Sequence, residues 1–208
     1  MKKLFCLAAI VMMMSASCAS AQETRKLPEP KLAEVEMTLM ESLQKRCSER
    51  EYDASKSISD ATLSQILWAA CGISRPESGK ITAPSAINAQ DIQVYVCSKD
   101  GAWLYQPKEH QLLKVSDKDL RQAVAGRQAF AAEAPISLVL VSDQSRFRNG
   151  SEIFGAMDAG YVSQNIYLAC TALGLKTVAR ASMEKGQLAE ALGLRENQIL
   201  ELNHPIGY

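Results

Sequence analysis

Two arginines and a hydroxyl residue lie close together in one polar segment, Arg46-Cys47-Ser48-Glu49-Arg50, directly after an amphipathic helix pattern. In an extended chain alternate side chains point the same way, so Arg46, Ser48 and Arg50 share one face. Two guanidinium groups and a hydroxyl can hold a phosphate through charge-assisted hydrogen bonds. A solvated basic turn fits the same residues, because cations also suit the C-terminus of a helix.

A second polar segment, Pro84-Ser85-Ala86-Ile87-Asn88-Ala89-Gln90, comes just before a strand pattern. Its small side chains and its proline indicate a fixed backbone with accessible N–H groups. Asn88 and Gln90 add amide donors and acceptors that suit a planar heterocycle. Taken alone, the segment is also compatible with an ordinary loop.

The elements around these segments interleave helices and strands without a regular β-α-β rhythm, which favours an α+β fold in one domain. Ser116 and Asp119 resemble a capping box for a helix that ends near Gly126. Two amphipathic helices near the start are expected to lie on the core. The other patterns predict helices over 32–43, 59–72, 151–173 and 185–192. Strands are predicted over 92–97, 103–105, 136–141, 177–181 and 199–203, and a loop over 74–90.

The sequence contains no glycine-rich phosphate loop, no His-Glu-x-x-His motif and no nucleophilic triad. Any redox chemistry is therefore expected to belong to a bound cofactor, and no side chain is assigned as catalytic or as a metal ligand. His110 is interpreted as a solvated residue in a turn. His204, before Pro205, is either a structural residue or one that faces a pocket.

Taken together and in this order, the two segments resemble the nitroreductase family of FMN-dependent oxidoreductases. The family's opening motif is matched by Arg46, Ser48, Arg50 and Tyr52, and its second motif by Pro84, Ser85, Ala86, Asn88 and Gln90. Further similarity lies in the helical stretch 158–169 and in the closing residues Pro205-Ile206-Gly207-Tyr208. The resemblance spans residues 43–208 and is greatest for the branch that includes the SagB-type dehydrogenases of peptide-azole biosynthesis.

The resemblance implies a mixed β-sheet flanked by helices and a homodimer with FMN at the subunit interface. The long central helix, with residues 158–169, would form the dimer core. Arg46 and Ser48, with Cys47 between them, would hold the phosphate and ribityl chain. Arg50 would lie near the N1/O2 edge of the flavin ring and favour acceptance of hydride.

The remaining site residues are also assigned by the resemblance. Backbone amides of Ala181 and Ser182 would approach flavin N5. Family members commonly supply a further cation to the phosphate after the closing strand; here either Arg46 carries most of that role or another cation such as Arg180 substitutes. The other subunit would cover the ring with Pro84, Ser85, Ala86 and Asn88.

The activity implied is ping-pong hydride transfer through flavin N5 to a small organic acceptor, with NAD(P)H or another reductant as donor. Two alternatives stay open: a dehydrogenase acting on a peptide or ring substrate, and a non-catalytic flavin-binding or interaction protein with the same fold.

The first 21 residues have the order of a secretory signal peptide: two lysines, an apolar run over 4–14, and small residues up to Ala21. The apolar run is too short for a folded helix to span a bilayer. We therefore expect an exported, periplasmic protein with a flexible lead-in over 22–31 and one domain over 32–208. A lipid anchor at Cys18 is the disfavoured alternative, because Ser15 stands where a branched aliphatic residue is usual.

The charge balance argues against a nucleic-acid-binding protein, and the positions of two cysteines predict their state. The 208 residues have 23 basic and 23 acidic side chains; Lys2 and Lys3 are the only charges before Gln22, so the rest carries −2. Such a balance offers no electrostatic footprint for nucleic acid. Cys97 and Cys170 lie in apolar patterns and are predicted to be buried free thiols rather than a disulfide.

Overall fold

The structure is a computed structural model that describes residues 22–208, so the predicted signal segment and Cys18 lie outside the described residues. The helices are α1 (Leu39–Lys45), α2 (Asp60–Cys71), α3 (Arg121–Ala125), α4 (Glu152–Ala172) and α5 (Lys185–Leu192). The strands are β1 (Thr24–Lys26), β2 (Ile73–Arg75), β3 (Lys80–Ile81), β4 (Ile92–Ser98), β5 (Gly101–Gln106), β6 (Gln111–Ser116), β7 (Ile136–Asp143), β8 (Lys176–Thr177) and β9 (Gln198–Gly207).

Seven strands form one antiparallel sheet in the order β1-β6-β5-β4-β7-β9-β8, while β2 and β3 form a separate short hairpin. Every residue of β7 is buried, as its continuous apolar sequence predicts. The expected α+β architecture, a sheet flanked by helices with one long helix, is confirmed.

Helices cover both faces of the sheet, because successive side chains of a strand point to opposite sides. Leu138 and Leu140 of β7 belong to the apolar cluster that α2 and α4 complete with residues such as Ile66 and Ile166. Val139 and Val141 belong to the opposite cluster, where α3 and α5 pack, for example through Leu188. The sheet is therefore the middle layer of three.

The two long helices begin and end where the sequence predicts. The side chain of Ser59 accepts the N–H of Thr62 at the start of α2, and Ser151 caps α4 in the same way. A Cβ atom on Gly72, after α2, would lie 2.5 Å from the Trp68 ring, so the chain turns there against that ring. Gly174, with φ of +67°, ends the turn after α4.

The prediction for the first helix is wrong in two respects. Residues 32–34 form a 3-10 turn, and α1 begins only after Thr38, which forms a capping box with Glu41. The apolar side chains of α1 do not lie on the core of the single chain. Leu39 and Met40 are 63% and 72% exposed.

Other local predictions need correction. The sequence patterns predict neither β1 nor β6: β1 lies within residues 22–31, expected as a flexible lead-in, and pairs with β6. Residues 74–90 contain part of the β2–β3 hairpin rather than loop alone. Leu120 precedes α3 without a side-chain cap, so the Ser116 capping box is wrong, although the helix does end at Gly126. Instead of the predicted strand 177–181, the structure has the two-residue strand Lys176–Thr177, and further along Arg180 pairs with Asn203 in an isolated antiparallel β-bridge.

The four cysteines of residues 22–208 form no disulfide with one another. Cys97 and Cys170 are buried free thiols, as predicted; Cys71 is buried and free as well, whereas Cys47 is exposed. Among residues 22–208, no helix is both long and apolar enough to cross a membrane.

Candidate functional site

Arg46 and Ser48 lie together at the C-terminal half of α4. The Ser48 Oγ atom is 2.8 Å from the hydroxyl of Tyr167, and the Arg46 guanidinium carbon lies 5.0 Å above the centre of the Tyr167 ring. The loop is attached to the sheet because the N–H of Glu49 donates to the carbonyl of Thr177 at 2.9 Å. The first polar segment is therefore held between α4 and β8.

Several donors of this loop have no acceptor within residues 22–208. Within residues 22–208 the Arg46 side chain makes no hydrogen bond or salt bridge, and neither do the backbone N–H groups of Cys47 and Ser48. Arg50 donates to the Ser48 carbonyl at 3.3 Å. Guanidinium and amide donors without acceptors form a site suited to an oxyanion.

Cys47 points away from this donor set. Its thiol donates to a carboxylate oxygen of Glu49 at 3.0 Å, and that hydrogen bond raises the pKa of the thiol. Cys47 therefore contributes its backbone, not a reactive thiolate, to the loop.

The second polar segment is a tight loop tied to the N-terminal half of α4. The Asp158 carboxylate accepts the N–H of Ala86, and the Ser85 hydroxyl accepts the N–H of Gln90 at 2.9 Å. Ile87, Asn88 and Gln90 all have positive φ, between 48° and 57°. A β-branched residue in this region is strained, which is typical of segments shaped by function.

A buried carboxyl pair lies beneath this loop. Asp91 is fully buried and accepts the hydroxyl of Ser142 at 2.5 Å, while its other oxygen has no donor within the described chain. Burial, reinforced by the neighbouring carboxylate of Asp158, raises the pKa of Asp91 to about 7. A proton on Asp91, which the raised pKa favours, supplies the donor that its unpaired oxygen can offer to a neighbouring acceptor.

A single chain does not bring the two polar segments together. Asp158 and Tyr167 are nine residues apart on α4, which corresponds to about 13 Å along the helix axis and about 180° around it. The loop held by Asp158 and the donors beside Tyr167 therefore lie on opposite faces of the same helix.

Arg180 is not a free cation at the phosphate side, so its suggested role there is wrong. Its side chain is buried, and this burial lowers its pKa. It donates to the carbonyls at the buried C-terminal end of α3 and to the neighbouring loop. Its five N–H groups are all used. They donate to Gln128 Oε1, Val124 O, Asn203 Oδ1, Ala125 O and Ser182 O.

Arg180 and Asn203 fix the backbone just before the residues expected at flavin N5. The two residues exchange backbone hydrogen bonds at 2.7 and 2.9 Å, and the amide of Asn203 also donates to the Ser182 carbonyl. The N–H groups of Ala181 and Ser182 find no acceptor in residues 22–208, and both residues are exposed. These two amides are therefore available to a ligand.

Both histidines are buried structural residues. His204 is fully buried between the hydroxyls of Ser163 and Thr177, at 2.7 and 3.1 Å, and burial lowers its pKa to about 3. The prediction of a solvated His110 is wrong. The side chain is only 9% exposed, and its Nδ1 atom is hydrogen-bonded to the Tyr105 hydroxyl at 2.8 Å. In the described part of the chain no three metal-ligating side chains cluster.

Comparison with known proteins decides the family. The model of the nitroreductase family matches residues 43–208. A protein of Methanocaldococcus jannaschii that is named as a nitroreductase is 31% identical over 201 residues, which cover 89% of this chain and 97% of that protein. The chain belongs to the nitroreductase family. It is an oxidoreductase of that family, whose members typically depend on flavin.

Solved structures agree with this nitroreductase assignment. A crystal structure of a Ralstonia eutropha JMP134 protein named as a nitroreductase superimposes with a TM-score of 0.82 at 37% identity, covering 88% of each chain. A second, from Anabaena variabilis, has a TM-score of 0.68 at 20% identity over 81% of this chain and 37% of that one. The second likeness shows the nitroreductase fold alone.

Sequence reasoning missed three residues of this candidate site. Tyr167 and Asp158 were part of the long helical pattern, where an apolar face hides individual polar contacts. Asp91 was unassigned, although a carboxylate directly before a buried strand is an unusual residue to place in a core. That position was the one signal that could have identified it.

Proposed function

We propose that this protein is an exported, FMN-dependent oxidoreductase that passes hydride to a small organic acceptor in a ping-pong cycle. The observation that carries the proposal is the set of unpaired donors at Arg46 and Ser48, which fits the phosphate of FMN. Membership of the nitroreductase family supports the redox class.

When bound, the flavin supplies the hydride chemistry at its N5 atom. This chain's own residues bind and orient it. Arg46 and Ser48 hold the phosphate end, and Arg50 provides positive charge at the N1/O2 edge of the ring. The free N–H groups of Ala181 and Ser182 donate toward the N5 edge, and the Arg180–Asn203 pairing keeps their backbone in place.

The active form in this proposal is a homodimer, because the two polar segments occupy opposite faces of α4 in one chain. A second copy would place its 84–90 loop over the flavin held by Arg46 and Ser48. Ile87, at the tip of that loop, is 78% exposed and strained, which supports a role in contacting another molecule.

Apolar side chains along α4 support the same assembly. Ile153, Met157 and Tyr161 are spaced four residues apart, so they form one stripe, and they are 73%, 50% and 43% exposed. The exposed apolar residues of α1 add to the surface to be covered. We expect the wild type to sediment as a dimer and Met157→Asp to shift it toward monomer, whereas a wild-type monomer would contradict this assembly.

Export rests on the signal-like residues 1–21. It favours a periplasmic reductant other than NAD(P)H, which is scarce outside the cytoplasm. Sequencing the N-terminus of protein recovered from the periplasm should give Gln22; a lipidated Cys18 would support the anchor instead. The assignment to the SagB-type branch stays a prediction.

The absorption spectrum of the purified protein tests the cofactor. We expect a yellow protein, or uptake of added FMN, with the visible bands bleached by dithionite. A colourless protein that takes up no FMN would overturn the proposal. Bleaching by dithionite but not by NAD(P)H would indicate that the physiological electron donor is a compound other than NAD(P)H.

The phosphate assignment has its own test. Arg46→Ala should raise the Kd for FMN by at least about tenfold, since a charge-assisted bond contributes about 1.5–3 kcal/mol. Lys99→Ala, in the exposed turn between β4 and β5, removes the same charge elsewhere and should leave the Kd unchanged. Equal affinities for both variants and wild type would exclude Arg46 from the site.

A further inference from the structure

Tyr167 makes the only hydrogen bond to the Ser48 hydroxyl within residues 22–208, and its ring lies beneath Arg46 as well. It is buried in α4, with the edge of its ring packed against His204 at a centroid distance of 5.1 Å. Because His204 is itself held on both ring nitrogens, the tyrosine ring has a rigid support.

The direction of the Tyr167–Ser48 hydrogen bond follows from counting protons. A backbone N–H can only donate, so the Ala179 amide, at 2.8 Å, donates to the Tyr167 oxygen. The hydroxyl proton of Tyr167 then has one acceptor among residues 22–208, the Ser48 Oγ atom at 2.8 Å. If Ser48 donated instead, the buried tyrosine proton would have no partner, which is costly.

The Ser48 proton is consequently left over. No acceptor for it exists within residues 22–208, and Ser48 is exposed. Because Ala179 donates to Tyr167 and Tyr167 donates to Ser48, the Ser48 hydroxyl proton is free to donate to a ligand or to solvent. The guanidinium of Arg46, stacked on the same ring, adds its N–H groups on the same side.

We propose that Tyr167 is a positioning residue for anion binding: its hydroxyl fixes Ser48 as a donor and its ring holds Arg46 beside it. This inference rests on the proposed function, because FMN is the phosphate ligand expected here. Tyr167 itself touches neither the phosphate nor the flavin ring; it acts through Ser48 and Arg46.

A double-mutant cycle with apoprotein tests the assignment. Tyr167→Phe keeps the ring under Arg46 but removes the hydroxyl, and we expect the Kd for FMN to rise about fivefold; Ser48→Ala should raise it about tenfold. If Tyr167 acts through Ser48, the double variant should bind no more weakly than Ser48→Ala. If the two substitutions acted independently, the increases in Kd would multiply to about fiftyfold, and the proposed role of Tyr167 would be wrong.

Ligands with and without phosphate provide the second readout. Riboflavin lacks the phosphate, so its Kd should be the same for wild type and Tyr167→Phe, whereas a general packing defect would weaken both flavins. Tyr95→Phe is the matched control, because it removes a buried hydroxyl on β4 in the opposite cluster. It should leave the Kd for both flavins unchanged.

Inorganic phosphate separates this inference from the proposed function. If the wild type binds phosphate but not FMN, and the mutant cycle measured with phosphate is non-additive, the flavin proposal is overturned and the positioning role of Tyr167 is supported. If the wild type binds FMN and the cycle is additive, only the positioning role of Tyr167 is overturned. Wild type that binds neither ligand would overturn both.

Discussion

Asp158 accepts the backbone N–H of Ala86 through both carboxylate oxygens, at 2.9 and 3.1 Å. This contact fixes the strained 84–90 loop to the first half of α4. The same carboxylate faces Asp91, which is buried beneath the loop and whose pKa is raised to about 7. The loop is therefore anchored by Asp158, next to a buried Asp91 that is protonated below about pH 7.

Asp91 should make stability depend on pH. Its pKa is about 7 in the folded protein and near 3.8 when unfolded, so the folded state binds more protons between these values. Its contribution to stability is therefore full below about pH 4 and is lost as the pH rises to about 7. Asp91→Asn imitates the protonated form and should have a flatter profile in urea unfolding between pH 5 and 8. Identical profiles for variant and wild type would contradict a raised pKa at Asp91.

His204 should act in the opposite direction. Burial lowers its pKa from 6.5 to about 3, so the unfolded chain binds the extra proton between these values. Its contribution to the free energy of unfolding is present above about pH 6.5 and falls as the solution is acidified. His204→Gln cannot titrate and, although less stable at pH 7, should lose less stability than wild type between pH 7 and 5. Parallel losses in the two proteins would argue against a neutral buried histidine.

Gly155 leaves space for the polar network beneath the loop. A Cβ there would lie 2.4 Å from Ser142 Oγ and 2.6 Å from Gln144 Nε2. We expect Gly155→Ala to lower the free energy of unfolding by about 1–3 kcal/mol, although alanine ordinarily favours a helix. Gly186→Ala in α5 meets nothing within 4 Å and should be neutral or slightly stabilising. Chemical denaturation of both variants checks the contrast, and a stabilised Gly155→Ala would show that the network can move aside.

Arg180 should be sensitive even to a conservative change. Lysine keeps the charge but has three donors without the planar fork, so at least two of the five acceptors lose their partner. We expect Arg180→Lys to lower the free energy of unfolding by about 2–4 kcal/mol. The exposed Arg127 provides the control, and Arg127→Lys should be within about 0.5 kcal/mol of wild type. Equal stability of both variants would mean that the five bonds contribute little.

The elements with strong local signals could be predicted from sequence. Strand β7 has an uninterrupted apolar run, and α4 has a serine cap and a closing glycine, so their positions follow from rules that act within a few residues. Strand β6 could not be recognised in this way. Its sequence, with Leu112 and Leu113 before Lys114 and Val115, does not alternate regularly between apolar and polar residues. The strand forms because β5 pairs with it, and a local pattern does not show that pairing.

The site shows the same division. The residue types and the family motif identified Arg46, Ser48 and Ala86. In the structure all three contact α4: Arg46 lies over the Tyr167 ring, Ser48 bonds the Tyr167 hydroxyl, and the Ala86 N–H donates to Asp158. Which arginine has free donors could not be read from the sequence. The fold uses all five donors of Arg180 internally, whereas the Arg46 side chain has no hydrogen-bond acceptor within residues 22–208. Burial of a charge depends on elements distant in sequence, here α3 and β9.

The exposure of Cys47 gives this protein a ready position for a reporter. The other three thiols in residues 22–208 lie in the core, and burial raises the pKa of each, so a maleimide dye should react with Cys47 first. Labelling works best at mildly alkaline pH, because the bond to Glu49 holds this thiol protonated. A fluorophore there would sit one residue from both Arg46 and Ser48, and quenching by an incoming flavin would follow ligand arrival in real time.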